Sequence, residues 1–253
     1  MPNNNPLISV ITASYNSEAY IYQTYHSLKN QTYTNWEWNI TDDGSLDSTP
    51  ELLTELNSID PRIKLDLRKV NEGPAKARNL SIARANGHFL AFLDADDLWE
   101  YTKLEAQLKF MEQIKCNISF TSYQIITADG RLLKKVDMNV PNNVRYEDLL
   151  AKKVTFGCST VMINAAKLPN LSMPLIRSGQ DYATWLSILR AGETAYLLKE
   201  VLTYYRITPN SVSRNKVKKA LRQWQIYRKY EELSFFKSSY FFASYVYRAF
   251  FRK

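Results

Sequence analysis

The sequence predicts an α/β fold in which helices flank a mostly parallel sheet. Short apolar, β-branched runs alternate with segments of helical periodicity through the first half of the chain. Polar clusters directly follow three of these runs, at the strand ends where α/β proteins bind ligands. The 253 residues are 45% hydrophobic and 23% charged, which is typical of a folded globular protein and excludes collagenous, coiled-coil and disordered classes.

The first half alternates strands and helices in a regular order. Strands are predicted at 7–13, 36–41, 63–67, 89–93 and 117–123, and helices at 18–30, about 48–58, 75–85 and 101–114. Each helical segment has an apolar face, such as Ile21, Tyr25 and Leu28 in the first. Right-handed crossovers between parallel strands bring the carboxyl ends of the strands to one edge. We therefore expect the three polar clusters to lie together.

The pattern changes after residue 123, which divides the predicted main domain, 1–213, into two parts, 1–123 and 124–213. A hairpin around Asp129-Gly130 comes first. The elements predicted after it are a helix at 145–152, a strand at 154–163, a helix at 181–191 and short strands at 195–198 and 202–207.

The net charge of +8 belongs to the last forty residues. Residues 214–253 contain eleven Lys or Arg and two Asp or Glu, together with twelve aromatic residues, whereas the rest of the chain is nearly neutral. A helix at 214–230 and an apolar helix at 235–251 are predicted. This basic aromatic extension favours an anionic membrane surface. Packing on the body or on a second copy, as in a homodimer, is the alternative, and no motif supports nucleic-acid binding.

Neither the cysteines nor the N-terminus indicates secretion or membrane insertion. Cys116 and Cys158 are too few for a disulfide framework, and no Cys/His cluster has zinc-site spacing. The N-terminus has no signal-peptide pattern, and no apolar run approaches the roughly 20 residues that span a bilayer. We therefore expect a cytoplasmic protein, associated peripherally with the inner face of the plasma membrane.

Three carboxylates follow a hydrophobic strand at Asp94-Ala95-Asp96-Asp97. Like charges packed together need a cation or hydrogen-bond donors. One interpretation is Mg²⁺ or Mn²⁺ held jointly with substrate phosphates. The other is a helix N-cap, because a helix is predicted directly afterwards. Asp42-Asp43 on the same predicted edge favours the metal.

Two further segments allow both a structural and a functional interpretation. Asp42-Asp43-Gly44-Ser45 fits a tight strand–helix turn, or a site at which Asp43 accepts hydrogen bonds from a base or ribose. The segment 71–79 opens a helix, where Lys76 or Arg78 could reach an anion. A solvated basic helix face is the alternative for these two residues.

The order and spacing of these motifs resemble family 2 glycosyltransferases of the GT-A fold, over about residues 6–215. The motifs that carry the resemblance are Val10-Ile11-Thr12-Ala13-Ser14-Tyr15-Asn16, Asp42-Asp43-Gly44-Ser45, Asn71-x-Gly73-x-x-x-Ala77-Arg78-Asn79, Asp94-x-Asp96-Asp97, Gln180-Asp181-x-x-x-Trp185 and Tyr204-Tyr205-Arg206 with Ser211-x-Ser213. Two positions depart from the family pattern: Gln180 stands where Glu is usual, and Tyr101 where Pro is common. Trp185 is also explained by core packing.

The resemblance implies a role for each matched residue. Asp181 would be the catalytic base and Asp96 the metal ligand. The donor nucleoside would be lined by the segment from Ala13 to Tyr15 and by Asp43, and Asn16 would also bind the donor. Asp94 would lie on the ribose side, and Arg78 would support the pyrophosphate or its neighbouring aspartates. A mobile loop containing Arg206 and Ser213 would close over the donor phosphates.

The implied activity is metal-dependent, inverting sugar transfer with Mn²⁺ or Mg²⁺ as cofactor. The donor would be a nucleotide sugar, with UDP favoured, and the acceptor a lipid-linked glycan of O-antigen, capsule or lipooligosaccharide assembly. Residues 1–123 would bind the donor and 124–213 the acceptor. The rival hypothesis is a non-catalytic nucleotide-sugar or glycan-binding module that keeps the fold.

Overall fold

The computed structural model describes residues 5–135, 141–208 and 216–251, which form one sheet covered by helices on both faces. The strands are β1 (Ile8–Ser14), β2 (Trp36–Asp42), β3 (Ile63–Leu67), β4 (Phe89–Phe92), β5 (Leu98–Trp99), β6 (Ile118–Ile126), β7 (Leu132–Lys135), β8 (Asn143–Val144), β9 (Val161–Asn164) and β10 (Ala195–Arg206). The helices are α1 (Ile21–Lys29), α2 (Thr49–Ile59), α3 (Pro74–Arg84), α4 (Lys103–Ile114), α5 (Tyr146–Leu150), α6 (Gln180–Arg190), α7 (Lys216–Gln225) and α8 (Phe235–Phe251).

The sheet order is β3-β2-β1-β4-β9-β6-β10-β5, with β7 paired to β6 and β8 to β10. Strands β3, β2, β1 and β4 are parallel, and so are β6 and β10. Strand β9 runs antiparallel to both neighbours, β4 and β6, and joins the two parallel groups. The predicted mostly parallel α/β sheet is therefore confirmed.

Neighbouring residues of β1 supply two separate cores. Val10 packs with α1, α2 and α4 on one face, and Ile11 packs with α3, α5 and α6 on the other. Strands β1, β2 and β4 are buried on both faces, which is why they appear in the sequence as mostly apolar runs, whereas the edge strand β3 is partly exposed. The resulting three-layer arrangement leaves the carboxyl edge of the sheet open for ligands.

Two strands of the second half differ from the prediction. The short strands expected at 195–198 and 202–207 form one strand, β10, whose register shifts near Leu198 and Val201 accommodate the charged Lys199-Glu200 pair. The strand expected at 154–163 begins only at Val161, because a short 3-10 turn, Cys158–Thr160, precedes it.

The basic aromatic extension packs on the body through α7, a π-helical turn at 226–230 and α8. Ile226 and Tyr227 are buried in the core beside α5 and α6. The Tyr227 hydroxyl donates to the Leu150 carbonyl at 2.5 Å, and the Ser244 hydroxyl donates to the Ala151 carbonyl at 2.9 Å. Packing on the body, one of the alternatives that the sequence allows, thus describes this segment. Among the described residues, no helix combines the length and apolarity needed to cross a bilayer.

Candidate active site

The predicted strand ends meet at one edge of the sheet. Ser14 lies opposite Asp42 in the β1–β2 register, and Asp94 follows β4 on the other side of β1. A cleft of about 760 Å³ opens there between the strand ends and helices α3, α6 and α7. The predicted site residues that line it are Ala13, Tyr15, Asn16, Arg78, Asp94, Asp96 and Asp181.

Arg78 projects from α3 and is buried against Asp94. Its Nη2 donates to Oδ1 of Asp94 at 2.5 Å. Its buried Nε and Nη1 have no hydrogen-bond partner among the described residues. Because unpaired buried donors are costly, an anion in the adjoining cleft would stabilise this guanidinium. Arg78 thus supports a neighbouring aspartate, as one of the two expectations for it states, and its contact with a pyrophosphate stays a prediction.

Residues 94–97 form the acidic turn, and Asp97 anchors it. Asp97 Oδ2 accepts a hydrogen bond from the Ser159 hydroxyl at 2.5 Å, and Oδ1 accepts one from the Arg206 amide at 2.8 Å. Burial, followed by the charges of Asp96 and Asp94, raises the pKa of Asp97 well above its usual range. Asp97 does not cap α4, because β5 intervenes and the N-cap residue is Thr102.

Arg206 holds the acidic turn in place through hydrogen bonds. It is the last residue of β10 and only 2% exposed. Its guanidinium donates to the Asp96 carbonyl at 2.7 Å, to the Ala128 carbonyl at 2.8 Å and to Gln23 Oε1 at 2.8 Å. The expectation that Arg206 lies in a mobile loop is therefore wrong, because strand pairing and these bonds fix it. Ser213, predicted for the same loop, lies outside the described residues.

Asp96 lines the cleft from the middle of the acidic turn. Burial, followed by the charge of Asp94, raises the pKa of Asp96 to about 6. Crowded carboxylates of this kind are stabilised by a cation. Within the described part of the chain, no group of three or more His, Cys, Asp or Glu side chains could hold a metal by itself. The turn therefore fits Mg²⁺ or Mn²⁺ only as an ion that shares its ligands with a bound diphosphate.

Tyr15 and Asn16 form the opposite rim, at the end of β1. Asn16 adopts the left-handed conformation, with φ of 49°. Its side-chain Oδ1 accepts from the Leu46 backbone amide at 2.9 Å, and its backbone amide donates to the Ser45 hydroxyl at 2.8 Å. These bonds hold the two loops after β1 and β2 together. The Tyr15 ring is 45% exposed at the cleft, where a planar base could stack.

Asp43 connects the end of β2 to the start of α3. Its Oδ1 accepts from the Glu72 amide at 3.0 Å, and its Oδ2 accepts from the Gly73 amide at 2.7 Å. The side chain is buried and is not part of the cleft wall. The tight turn of the 42–45 segment, its structural interpretation, is formed by Asp42, whose Oδ2 accepts from the Ser45 backbone amide at 2.9 Å. A direct contact between Asp43 and the nucleoside stays a prediction.

Asp181 faces the acidic turn from the first turn of α6. The preceding Gly179 has φ of 79°, and a Cβ there would lie 3.1 Å from Cδ of Arg222. Glycine is thus required both for the backbone conformation and for the close approach of α7. Gln180, next to Asp181 in the chain, is buried, and its Oε1 has no hydrogen-bond partner among the described residues.

An inner cavity of about 390 Å³ adjoins the main cleft. Asp94, Asp181 and Tyr205 line both spaces, together with Thr155 and Cys158. Lys219 of α7 lines the inner cavity. The acidic turn and Asp181 therefore bound one continuous space, which is large enough for a nucleotide sugar and part of an acceptor.

Two residues of the sequence motifs have structural roles. Asn79 fixes the segment before α6: its Nδ2 donates to the Met173 carbonyl and its Oδ1 accepts from the Met173 amide, both at 2.8 Å. Trp185 is fully buried, edge-on to Phe92 and stacked on Phe156. Core packing, the alternative for Trp185, is what the structure contains.

Several cleft residues escape sequence reasoning. Lys152 follows α5 with φ of 53° and lines the cleft with Nζ 3.1 Å from the centre of the Tyr182 ring. Arg222 and Lys219 belong to the extension, where their charge indicates a surface role. No local pattern marks these residues. Lys219 and Arg222 reach the cleft only through the packing of α7, and Lys152 reaches it through the turn that follows α5.

An α/β fold with an acidic turn, a buried arginine and an opposed carboxylate at the carboxyl edge fits an enzyme that binds a phosphorylated ligand at this edge. Residues 9–168 match the family described as Glycosyl transferase family 2. The chain belongs to this family and is a glycosyltransferase.

Full-length relatives support this membership. The chain is 44% identical to TuaG of Bacillus subtilis strain 168, a glycosyltransferase assigned to teichuronic acid biosynthesis, over 97% of this chain and 96% of TuaG. It is 39% identical to Escherichia coli WfgD, a UDP-Glc:α-D-GlcNAc-diphosphoundecaprenol β-1,3-glucosyltransferase, over 87% of this chain and 85% of WfgD.

Solved structures share the GT-A fold at low sequence identity. Staphylococcus aureus TarS 1–349 in complex with UDP-GlcNAc superimposes with a TM-score of 0.74 at 19% identity, covering 96% of this chain and 73% of that one. The Pyrobaculum calidifontis mannosyltransferase PcManGT with GDP-Man and Mn²⁺ gives 0.72 at 18% identity, covering 99% and 72%. The predicted GT-A fold is thus confirmed.

Proposed function

We propose that this glycosyltransferase moves a hexosyl or N-acetylhexosaminyl group, with inversion, from a nucleotide sugar to a lipid-linked glycan in cell-surface polysaccharide assembly. The observation that carries the proposal is that Asp181 and the acidic turn bound one continuous space. A diphosphate leaving group and an attacking hydroxyl can therefore occupy opposite sides of one sugar carbon.

The donor is a UDP-sugar in this proposal. Ala13, Tyr15 and Asn16 line the nucleoside end, and Arg78 offers two unpaired donors to the diphosphate. WfgD is named for UDP-Glc, and TarS has been solved with UDP and with UDP-GlcNAc, which supports this nucleotide.

The acidic turn would hold a divalent cation, Mn²⁺ or Mg²⁺, through Asp96. When bound, such an ion neutralises charge on a departing diphosphate. Arg78, held by Asp94, contributes a fixed positive charge to the same phosphates, and Arg206 keeps the turn in place. Asp43, in addition to its loop contacts, would lie near the nucleoside.

Asp181 acts as the general base. The acceptor hydroxyl forms a bond to the anomeric carbon as the bond from that carbon to the diphosphate oxygen breaks, and the hydroxyl proton goes to Asp181. No enzyme nucleophile takes part, so an α-linked donor gives a β-linked product. The neutral Gln180 beside the base adds no second charge to the site.

The extension also presents an exposed aromatic stripe, Phe236, Tyr240, Ala243 and Tyr247, along one side of α8. Phe236, Tyr240 and Tyr247 are 85%, 71% and 64% exposed. Lys237 is exposed next to the stripe. Aromatic and basic side chains together favour the headgroup zone of an anionic membrane, from which a lipid-linked acceptor would reach the cleft.

We expect Phe236→Ser with Tyr240→Ser to weaken association with anionic vesicles by about tenfold or more, because burial of an aromatic side chain contributes roughly 1.5–3 kcal/mol. Vesicle flotation measures this. The control is Ile59→Ser, which removes an exposed apolar residue of α2. Equal flotation of the double variant and the wild type would contradict membrane docking through α8.

Calorimetric titration with UDP, GDP, CMP and dTDP, each with and without Mn²⁺, tests the donor site. We expect UDP to bind, and to bind more tightly with the metal. Absence of binding by all four nucleotides would contradict the proposed donor site.

A further inference from the structure

Three cationic side chains surround the proposed base. Lys152 and Arg222 line the main cleft, and Lys219 lines the inner cavity, in each case together with Asp181. Arg222 donates to the Ser178 hydroxyl and packs on Gly179, two residues before the base. We call these three residues the base-side cations.

The base-side cations lack carboxylate partners. Among the ion pairs of the described residues, none includes Lys152, Lys219 or Arg222. Burial, and next the charges of Arg222 and Lys219, lower the pKa of Lys152 to about 7 against the opposing effect of Asp181. Burial also lowers the pKa of Lys219, and the charge of Arg222 lowers it further. Three cations held close together, with Asp181 as their neighbouring carboxylate and with no ion pair among the described residues, indicate an anion site.

The base-side cations come from other elements than the residues of the proposed donor side. That side is formed by Arg78 of α3 and Asp94 of the acidic turn, which are paired with each other. The base-side cations are arranged around the start of α6, and two of them come from α7. Helix α7 leads through the π-helical turn to α8 and its exposed stripe. An anion on a molecule held at the α8 stripe would therefore be close in the fold to α7, which carries Lys219 and Arg222.

We propose that Lys152, Lys219 and Arg222 bind the diphosphate that links the acceptor sugar to its lipid. The inference rests on the proposed function, because it assigns a ligand to the acceptor side of the same site. It makes the extension part of substrate recognition: α7 selects acceptors whose sugar is carried on a diphosphate. WfgD is named for an acceptor of this chemical class.

Acceptor binding is expected to weaken as pH rises above about 7. A diphosphate favours the protonated form of Lys152, so above its pKa of about 7 binding requires proton uptake. Asp181, Arg222, Lys219 and the Tyr182 ring face this amine. We expect the KM for a diphosphate acceptor to rise between pH 7 and 9, and Lys152→Arg, whose charge persists, to flatten this rise. An equally steep rise in the KM of the variant would show that Lys152 does not cause the pH dependence of acceptor binding.

The test compares a diphosphate acceptor, α-GlcNAc-diphosphate-phenoxyundecyl, with the α-GlcNAc phenoxyundecyl glycoside, which has no diphosphate. We expect Lys219→Ala and Arg222→Ala each to raise the KM for the diphosphate acceptor by about tenfold, because each removes a charge-assisted hydrogen bond. The KM for the glycoside and the KM for the UDP-sugar should not change. The control is Lys229→Ala, which removes an exposed charge from the π-helical turn.

An equal rise in KM for both acceptors would overturn the inference. A raised KM for the UDP-sugar alone would also overturn it, because it would assign these cations to the donor. Calorimetric binding of the diphosphate acceptor, measured without donor, separates the two proposals. Binding that depends on Arg222 without any sugar transfer would support the inference and reject the proposed function. Sugar transfer together with unchanged acceptor binding in both variants would support the proposed function and reject the inference.

Discussion

Replacement of Asp181 by Asn is expected to lower kcat by about 10²- to 10⁴-fold, the usual contribution of a general base. The amide keeps the size of the side chain but cannot take the acceptor proton. Donor affinity should change little, because in the proposed arrangement the donor phosphates lie at the acidic turn and Arg78, and the acceptor hydroxyl lies at Asp181. Initial rates at saturating donor, together with UDP titration, measure both quantities.

The control for this variant is Asp129→Asn, which removes a carboxylate from the exposed hairpin between β6 and β7. It should leave kcat unchanged. An Asp181→Asn enzyme with unimpaired turnover would show that another group accepts the proton. A loss of UDP binding equal to the loss of kcat would instead place Asp181 on the donor side.

Replacement of Asp96 by Asn is expected to abolish the gain in UDP affinity that Mn²⁺ provides. Loss of a residue that hydrogen-bonds to a metal ligand typically lowers metal affinity by about 10- to 100-fold, so loss of the ligand itself should lower it at least as much. Titration of UDP with and without Mn²⁺ measures the effect.

The Asp96→Asn variant should also fold as stably as the wild type. Burial and Asp94 raise the pKa of Asp96 to about 6, so the folded state disfavours its charge, and a neutral amide removes that penalty. Above pH 6 the thermal midpoint should therefore be equal to or higher than that of the wild type. A metal response that survives in a well-folded variant would contradict the role of Asp96.

The first half of the fold follows from the sequence because β1, β2 and β4 are buried on both faces and its helices have one apolar side. Strands β1 to β4 occur within one or two residues of their predicted bounds. The second half was less predictable. Lys199-Glu200 interrupts the apolar pattern of β10, and only the pairing with β6, with its register shifts, keeps the strand continuous.

The candidate site divides in the same way. Ala13, Tyr15, Arg78, Asp94 and Asp96 follow strands or begin helices at the carboxyl edge, so their meeting is a consequence of topology that the sequence already contains.

The rest of the site depends on tertiary contacts. Arg206 is recognised from its motif, but its burial beneath the acidic turn comes from strand pairing with β6. Arg222 and Lys219 reach the cleft only because Ile226 and Tyr227 anchor the extension in the core and Gly179 admits α7. Charge and aromatic content alone favoured a membrane role for the whole extension, whereas α7 packs at the cleft and α8 carries the exposed stripe.

The most direct test of the account is the anomeric configuration of the product. The purified enzyme would be incubated with Mn²⁺, α-GlcNAc-diphosphate-phenoxyundecyl and a panel of α-linked UDP-sugars, and the product examined by proton NMR. A single new β-glycosidic linkage, formed at a rate that depends on Asp181, is the predicted result. An α-linkage, or release of UDP without any new glycosidic bond, would contradict direct displacement with Asp181 as the base.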